Sequence, residues 1–335
     1  HPPNLMKNLQ EPHRLSVAPM MDCTDRYCRY FHRSLTRRAL LYTEMVVART
    51  IIEANKRGDL SKYLAFDPFE KPLALQLGGS DPQELAEAAK IAMQYDYDEI
   101  NLNVGCPSDR VQAGRFGVCL MKEPDLVAQC MEAIGKSVNV PLSVKTRIGV
   151  DEHDNEEFLI RFIDTVSKAG ISNFILHARK AWLKGLNPAQ NRSIPPLDYN
   201  RVYAMKTRFP NLKIEVNGGI KELEECQSQL DKLDGVMLGR AAYENPWILS
   251  KVDSIIFGDK DPHKSREELL KSLVPFCNRL LNSGIRLHNL ARHMSGLFKG
   301  QPRAKRWRIR MQELLNQNPQ NENFLKQSIE VFYEP

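Results

Sequence analysis

Eight short runs of aliphatic and β-branched residues recur along the chain, and amphipathic stretches of helical periodicity separate them. The runs that we predict as strands are Leu15–Ala18, Ala39–Thr43, Leu73–Leu77, Glu99–Asn103, Leu142–Lys145, Asn173–His177, Lys213–Val216 and Gly235–Leu238. The predicted helices between them are Asp25–Ser34, Pro82–Tyr95, Glu123–Gly135, Asn155–Ala169, Tyr199–Arg208 and Lys221–Leu233. Largely apolar strands that alternate with helices are typical of a parallel sheet with helices outside it.

This alternation favours a (β/α)₈ TIM barrel, because a barrel of eight such units takes ~250 residues. An open, doubly wound sheet is the alternative. After about Asp261 no convincing strand follows, and Arg266–Ser283 and Glu322–Phe332 are predicted helices. We therefore divide the chain into an N-terminal extension (1–13), a barrel (14–255) and an all-helical C-terminal domain (256–335).

Composition excludes several classes of protein. Apolar residues make up 42% of the chain and charged residues 26%, as in globular proteins and unlike disordered ones. The longest apolar runs, such as Ala39–Tyr42, are far shorter than the ~20 residues of a membrane span. The polar opening His1-Pro2-Pro3-Asn4 lacks the apolar core of a signal peptide. Seven cysteines without CxxC spacing fit a reducing compartment. We expect a cytoplasmic monomer with no membrane segment and no metal.

In a barrel of this kind the active site lies where the strands end. The residues that the strands deliver there are mostly polar or small: Ala18-Pro19-Met20-Met21, Gln76, Asn101–Pro107, Lys145-Thr146-Arg147, His177-Ala178-Arg179, Asn217-Gly218-Gly219 and Gly239-Arg240. Glycines after the seventh and eighth strands let backbone amides approach a phosphate, and Arg240 adds a guanidinium suited to phosphate oxygens. A tight turn at Gly218-Gly219 is the structural alternative.

Three further rim residues have two possible roles each. Lys145 is either a solvated lysine or an ammonium that faces an electron-rich ring or a developing anion. His177 is either a packed histidine or a ligand contact. Cys106, on a turn between Gly105 and Pro107, is either a nucleophile or general acid, or a small buried hydrophobe. Burial is the prediction for Cys119, Cys130, Cys226 and Cys277. No GxGxxG or Walker loop is present.

Positive charge is concentrated in the C-terminal segment, although the net charge of the whole chain is only +6. No Asp or Glu occurs between Arg286 and Arg310, and Phe298 and Trp307 lie among the basic residues. These are Arg286, Arg292, Lys299, Arg303, Lys305, Arg306, Arg308 and Arg310. A solvated helix face is the structural reading, whereas charge of one sign with nearby aromatic rings favours a nucleic acid.

Together these motifs resemble the tRNA-dihydrouridine synthase family. The residues that carry the resemblance are Ala18-Pro19-Met20-Met21-Asp22, Asn103–Ser108, Phe116–Met121, Lys145-Thr146-Arg147 and Asn217-Gly218-Gly219. Other segments of this sequence are similar to the A subfamily of that family: His177–Leu186, Asn191-Arg192, Ile194–Tyr199, His293-Met294, Gly296-Leu297-Phe298 and Gly300. Two departures are Val118, where alanine is usual, and Ala189, at a loop position that is often basic.

The resemblance implies an FMN-binding barrel with a helical tRNA-binding domain. NADPH would reduce the flavin, which would reduce uridine to 5,6-dihydrouridine at positions 20 and 20a of the D-loop, with Cys106 as general acid. The implied FMN contacts are Pro19, Met20, Met21, Gln76, Lys145, His177, Asn217, Gly218, Gly219, Gly239 and Arg240. Contacts with tRNA are expected from Asn103, Lys184, Arg192, Arg303 and Arg306.

Two other functions remain possible at this stage. A flavin barrel that oxidises a small molecule, such as a dihydroorotate or dihydropyrimidine, would share the phosphate site but would give the basic cluster no role. An RNA-binding protein without catalytic activity is the other, but it would leave the polar residues at the barrel rim without a role.

Overall fold

A computed structural model describes residues 11–335, and most of the expected N-terminal extension lies outside this part of the chain. Eight parallel strands are ordered β1-β8-β7-β6-β5-β4-β3-β2. They are β1 (Leu15–Val17), β2 (Leu41–Val47), β3 (Leu73–Gly78), β4 (Glu99–Val104), β5 (Leu142–Arg147), β6 (Asn173–His177), β7 (Lys213–Asn217) and β8 (Gly235–Leu238). A bridge between Ser16 and Leu40 closes the ring between β1 and β2. The TIM barrel is therefore confirmed, and the open sheet is wrong.

Helices surround the barrel. Those from β1 to β8 are α1 (Arg26–Leu35), α2 (Ala48–Arg57), α3 (Ser61–Leu64), α4 (Pro82–Ala92), α5 (Asp109–Ala113), α6 (Pro124–Ser137), α7 (Glu156–Ser167), α8 (Pro188–Asn191), α9 (Tyr199–Arg208) and α10 (Leu223–Leu230). Short 3₁₀ turns occur at Pro12–Arg14, Pro68–Glu70, Gly117–Lys122 and Pro246–Lys251. Caps define the longer helices: Asp81 accepts hydrogen bonds from two amides of the first turn of α4, and Pro82 follows it.

Only helices and turns follow β8. They are α11 (Arg240–Glu244), α12 (Val252–Phe257), α13 (Arg266–Ser272), α14 (Val274–Asn282), α15 (His288–Ala291), α16 (Ala304–Gln317), α17 (Phe324–Ser328) and a 3₁₀ turn at Ile329–Tyr333. The division expected at residue 255 falls inside α12, and it stays a prediction.

Most of the predicted helices are observed with ends shifted by a few residues, but two predictions in the C-terminal segment need correction and one helix there was not predicted. The predicted helix Arg266–Ser283 is two helices, because Leu273 ends α13 and Pro275 lies in the first turn of α14. The predicted helix Glu322–Phe332 is a short helix followed by a 3₁₀ turn. Helix α16, which carries half of the basic cluster, was not predicted.

Candidate active site

A cavity of about 740 Å³ opens at the carboxyl ends of the strands. Most of the predicted site residues line it: Pro19, Met20, Met21, Gln76, Asn103, Cys106, Lys145, His177, Arg192, Asn217, Gly239 and Arg240. Gly218 and Gly219 lie beside this lining, next to His177 and Leu197. Lys184, Arg303 and Arg306 do not line the cavity. The rim therefore brings together residues from almost every strand.

Cys106 sits on a tight turn after β4, and its side chain is half-buried against the cavity. The Asn103 Oδ1 atom accepts hydrogen bonds from the amides of Gly105 and Cys106, each at 3.0 Å. The Cys106 Sγ atom lies 3.5 Å from the Ser108 Oγ atom. Since the thiol faces the cavity, the interpretation of Cys106 as a buried hydrophobe loses support.

The other cysteines behave differently. Cys130, Cys226 and Cys277 are buried, as predicted. Cys119 is only half-buried, and its thiol donates a hydrogen bond to the Phe116 carbonyl, so its assignment to the core was too strong.

Arg29, at the cavity wall, pairs with Glu70. Six other cations line the cavity without a carboxylate partner within residues 11–335: Lys62, Arg110, Lys145, Arg147, Arg192 and Arg240. Burial, reinforced by Arg147, lowers the pKa of Lys145 to about 8. Burial also lowers the pKa of Arg147 to about 10, so its guanidinium remains charged at neutral pH. Unpaired positive charge of this kind favours an anionic ligand.

His177 is a buried residue at the end of β6, paired in register with Arg147 and with Asn217. Burial first, and then the positive charges of Arg147 and Lys145, lower its pKa well below the ordinary value. The imidazole is therefore neutral at pH 7. It can exchange hydrogen bonds with a ligand, but it adds no charge to the site.

Backbone conformation at the glycines after β7 leaves room for a ligand. Gly218 and Gly219 have φ values of 118° and 71°. A Cβ atom at Gly218 would come within 2.6 Å of the His177 ring, so only glycine fits. The amides of Gly218, Gly219 and Gly239 donate no hydrogen bond to any atom of the described chain. Free amides beside Arg240 fit a phosphate-bearing cofactor such as FMN.

Arg147 is a site residue that the sequence analysis quoted in a motif but gave no role. Its Nε atom donates to the Gly105 carbonyl at 3.1 Å, and its Nη1 atom donates to the Asn191 carbonyl at 2.8 Å. The side chain thus joins the Cys106 turn to the long loop 178–198. Its position two residues after Lys145, on the same face of β5, is the signal that could have identified it.

The long loop 178–198 contains helix α8 and places Arg192 over the cavity. The Asn191 side chain bonds both the amide and the carbonyl of Trp182, which folds the loop on itself. Lys184 is exposed beside Gly185, whose φ of 88° marks a turn. Both basic residues are accessible to a large ligand.

The aromatic residues of the basic cluster are not available for base stacking. Trp307 is fully buried, and its indole donates to the Ser328 Oγ atom at 2.9 Å. Phe298 is also buried, and its ring packs against Trp307 and Phe332. These rings form the core of the C-terminal helices, so they give no support to the interpretation of the basic cluster as a nucleic-acid interface.

The fold also brings carboxylates to part of the basic cluster. Arg292 pairs with Asp25 at 2.9 Å, Arg306 lies 3.6 Å from Glu313, and Arg310 lies 3.4 Å from Glu313. Arg303 donates through its Nη1 atom to two backbone carbonyls near the C-terminus. The residues that remain exposed with neither a carboxylate nor a backbone-carbonyl partner in the described chain are Arg286, Lys299, Lys305 and Arg308.

Residues 11–335 contain neither a metal-binding cluster nor a membrane-spanning helix. No group of three His, Cys, Asp or Glu side chains has a geometry that could hold a metal ion. None of the described helices is long and apolar enough to cross a membrane.

Comparison with known proteins gives consistent matches. The family model "Dihydrouridine synthase" matches residues 16–332. A protein of Vibrio cholerae named tRNA-dihydrouridine(20/20a) synthase is 56% identical over 90% of this chain and 90% of its own. Proteins of the same name from Shewanella oneidensis and Escherichia coli K12 are 53% and 52% identical, over 94% and 95% of this chain and 92% and 91% of their own.

A solved structure shows the same kind of fold. A 2-naphthoyl-CoA reductase complex superposes with a TM-score of 0.54 over 75% of this chain, at 12% identity. The chain spans about half of that enzyme, 53% of its length.

Proposed function

Because the chain belongs to the dihydrouridine synthase family, it is an enzyme that reduces uridine to dihydrouridine in tRNA, and we propose that FMN, NADPH and Cys106 carry out this reaction. The relatives' shared name supports positions 20 and 20a as the sites of reduction. The observation that carries the proposal is the half-buried Cys106 thiol, which faces a cavity surrounded by unpaired cations.

The residues at the rim fit FMN. Arg240 and the free amides of Gly218, Gly219 and Gly239 would hold its phosphate, while Gln76, Lys145 and His177 would contact its ring. When bound, FMN supplies the hydride that NADPH provides and that C6 of the uridine accepts. The remaining proposed FMN contacts are Pro19, Met20, the exposed Met21 and Asn217, and all four line the cavity.

Cys106 would donate the proton that C5 of the uridine requires. Its turn is fixed from two sides, by the Asn103 side chain and by Arg147 bound to the Gly105 carbonyl. The nearby positive charges of Lys145, Arg147 and Arg192 would stabilise the thiolate that remains after Cys106 has donated its proton. Asn103 keeps one N–H free for the base, because its Nδ2 atom carries two hydrogens and donates only one within the described residues, to the Gln76 Oε1 atom.

The tRNA would lie across the cavity and the C-terminal helices. Arg192 and Lys184 on the long loop and the exposed cations of the basic cluster would contact it, with Arg303 and Arg306 at its edge. All seven cysteines are free, in agreement with a cytoplasmic location beside tRNA. A small-molecule flavin enzyme is less well supported, because the relatives are named for tRNA.

Replacing Cys106 by Ala tests the central assignment. We expect the variant to purify with FMN and to oxidise NADPH at the parent rate, because that half-reaction does not use the proton. Formation of dihydrouridine should fall by about 10²–10⁴-fold, the usual contribution of a general acid. The measurements are flavin absorbance, NADPH consumption and dihydrouridine content of unmodified tRNA.

Cys119→Ala is the matched control, because it removes another half-buried thiol. Parent-level dihydrouridine formation by Cys106→Ala would refute the role of general acid. Loss of flavin reduction in the same variant would show that the residue is needed for cofactor binding instead.

A further inference from the structure

A layer of polar side chains fills the barrel interior immediately below the cavity. Gln76 on β3, Asn101 on β4 and Ser143 on β5 are partners in strand register, and their exposed fractions are 1%, 0% and 0%. Branched apolar side chains usually fill this position in TIM barrels. Burying amides and hydroxyls is unfavourable unless each finds a partner, so this layer calls for a specific explanation.

The layer belongs to a continuous series of hydrogen bonds, which we call the amide chain. Ser143 donates to the Glu99 carboxylate at 2.9 Å, and Asn101 donates to the Ser143 Oγ atom at 2.8 Å. Gln76 donates to the Asn101 Oδ1 atom at 2.9 Å, and Asn103 donates to the Gln76 Oε1 atom at 3.0 Å. Glu99, Asn101 and Asn103 are every second residue of β4 and point to the same side. The series of hydrogen bonds therefore extends about 13 Å along this strand toward the cavity.

The groups at both ends of the amide chain require every one of its hydrogen bonds to be donated in the same direction, toward Glu99. At the lower end a carboxylate only accepts, so Ser143 gives it the hydroxyl hydrogen and must accept from the Asn101 amide nitrogen. At the upper end the Gly105 and Cys106 amides only donate, so the Asn103 oxygen must face them. Each side-chain amide between these ends then has one orientation that satisfies both neighbours.

An ion cluster holds the lower end. The His13 Nε2 atom lies 2.5 Å from Glu99, and its Nδ1 atom lies 2.8 Å from Glu215. Burial opposes a charge on His13, but the attraction of Glu215 and Glu99 outweighs it and raises the pKa well above the ordinary value. The Glu99 carboxylate is therefore fixed against an imidazolium while its other oxygen receives the Ser143 hydrogen.

We propose that Asn101 is a positioning residue for the reaction, which passes the orientation set by Glu99 and Ser143 to Gln76 and Asn103 and so fixes the turn that carries Cys106. Asn101 does not line the cavity, whereas Gln76 and Asn103 do, so it acts only through them. The proposal rests on the proposed role of Cys106. It explains why the barrel buries an amide where an apolar residue would pack.

Two substitutions of similar size separate orientation from packing. Asn101→Leu removes both hydrogen bonds of Asn101, whereas Asn101→Asp keeps both, because burial beside Glu99 keeps its carboxyl protonated. The O–H of that carboxyl donates to the Ser143 Oγ atom and its carbonyl oxygen accepts from Gln76. We expect Asn101→Leu to lower kcat for dihydrouridine formation about tenfold, the effect of one buried hydrogen bond, without changing the KM for tRNA. Iodoacetamide should modify Cys106 several-fold faster in this variant, as measured by mass spectrometry of its peptide. Asn101→Asp should regain most of the kcat and the slow modification.

Ser16→Ala is the matched control, because it removes a buried hydroxyl of the barrel interior that has no hydrogen-bond partner within residues 11–335. If Asn101→Leu fails to fold, Ser143→Ala interrupts the same chain with a smaller change and should show the same two effects. Equal losses in the Leu and Asp variants would mean packing alone and would overturn the proposal, as would values that match Ser16→Ala. The modification rate needs no turnover, so it still tests the amide chain if Cys106 proves not to be the acid.

Discussion

At the scale of single residues, Lys145 gives the site a pH dependence. Its pKa of about 8 means that the ammonium is mostly charged at pH 7 and mostly neutral at pH 9. The FMN phosphate is already doubly charged over this range, because its second pKa is near 6. If the ammonium contacts the flavin, FMN affinity should decrease as pH rises above 8, by up to about tenfold per pH unit.

Fluorescence titrations of the apoprotein with FMN between pH 7 and pH 9 measure this effect. Lys145→Met is the control, because it removes the titrating group and should bind FMN more weakly at pH 7 and with little pH dependence. Parallel profiles for the parent and Lys145→Met would show that the ammonium does not contact the flavin.

Individual residues also show how far the sequence can lead. Cys106 and Lys145 follow strands in recognisable motifs, so their place at the rim could be predicted from strand order. The amide chain could not, because which side chains meet inside a barrel depends on register between strands far apart in sequence. His13 was assigned to an extension, although the fold places it between two carboxylates from β4 and β7.

At the scale of elements, helix α16 carries two of the four exposed residues of the basic cluster that lack a partner in the described chain. Trp307, Met311, Leu314 and Leu315 form its buried face. Lys305 and Arg308 lie three residues apart on the exposed face, without a carboxylate partner in the described residues. This corrects the emphasis on Arg303, whose Nη1 atom is engaged by backbone carbonyls of the C-terminal segment.

Replacing both Lys305 and Arg308 by Ala should weaken tRNA binding and reduce the slope of log K against log salt by about 0.7–0.9 for each lost phosphate contact. The double variant Lys136→Ala/Lys168→Ala removes the same charge from the outer face of the barrel, at the end of α6 and at the C-cap of α7. Binding titrations over a range of salt concentrations compare the two. Equal slopes in all three proteins would exclude this face of α16 from the tRNA interface.

Element prediction succeeded where periodicity and caps agree and failed where they conflict. The β6 and β8 boundaries and helix α9 match the prediction, because each is a compact apolar run or a capped helix. Helix α16 was missed because four basic residues obscure its apolar stripe. Helix α2 was missed because it begins directly after β2, with no capping side chain at Val47.

At the scale of the whole molecule, polar contacts join the C-terminal helices to the first βα unit. Asp25 accepts from the amides of Tyr27 and Cys28 at the start of α1, and it faces both His293 and Arg292 at 2.9 Å. Arg292 also donates to the Asp22 carbonyl, next to the proposed FMN contacts. One carboxylate therefore serves helix capping and the contact between the two regions.

Two substitutions at Asp25 separate these roles. Asp25→Asn keeps an equally good cap but loses the charge, so it should fold and show faster amide exchange around His288–Met294. Asp25→Ala should lower the free energy of unfolding by about a further 1 kcal/mol, because the cap is also lost. Hydrogen-exchange mass spectrometry and thermal unfolding measure these effects. Unchanged exchange in Asp25→Asn would show that the contact contributes nothing to joining the regions.

The way in which the barrel closes between β1 and β2 has a consequence for the protein's tendency to aggregate. Its hydrogen bonds link only Val17, Leu40 and Leu15, whereas β2 and β3 pair over much of their length. Parting there would create two edge strands, which are templates for aggregation. Helix α12 lies over this seam, where its Asp253 binds Thr36 and the amides of Arg37 and Arg38. We therefore expect the segment after β8 also to limit self-association of the barrel.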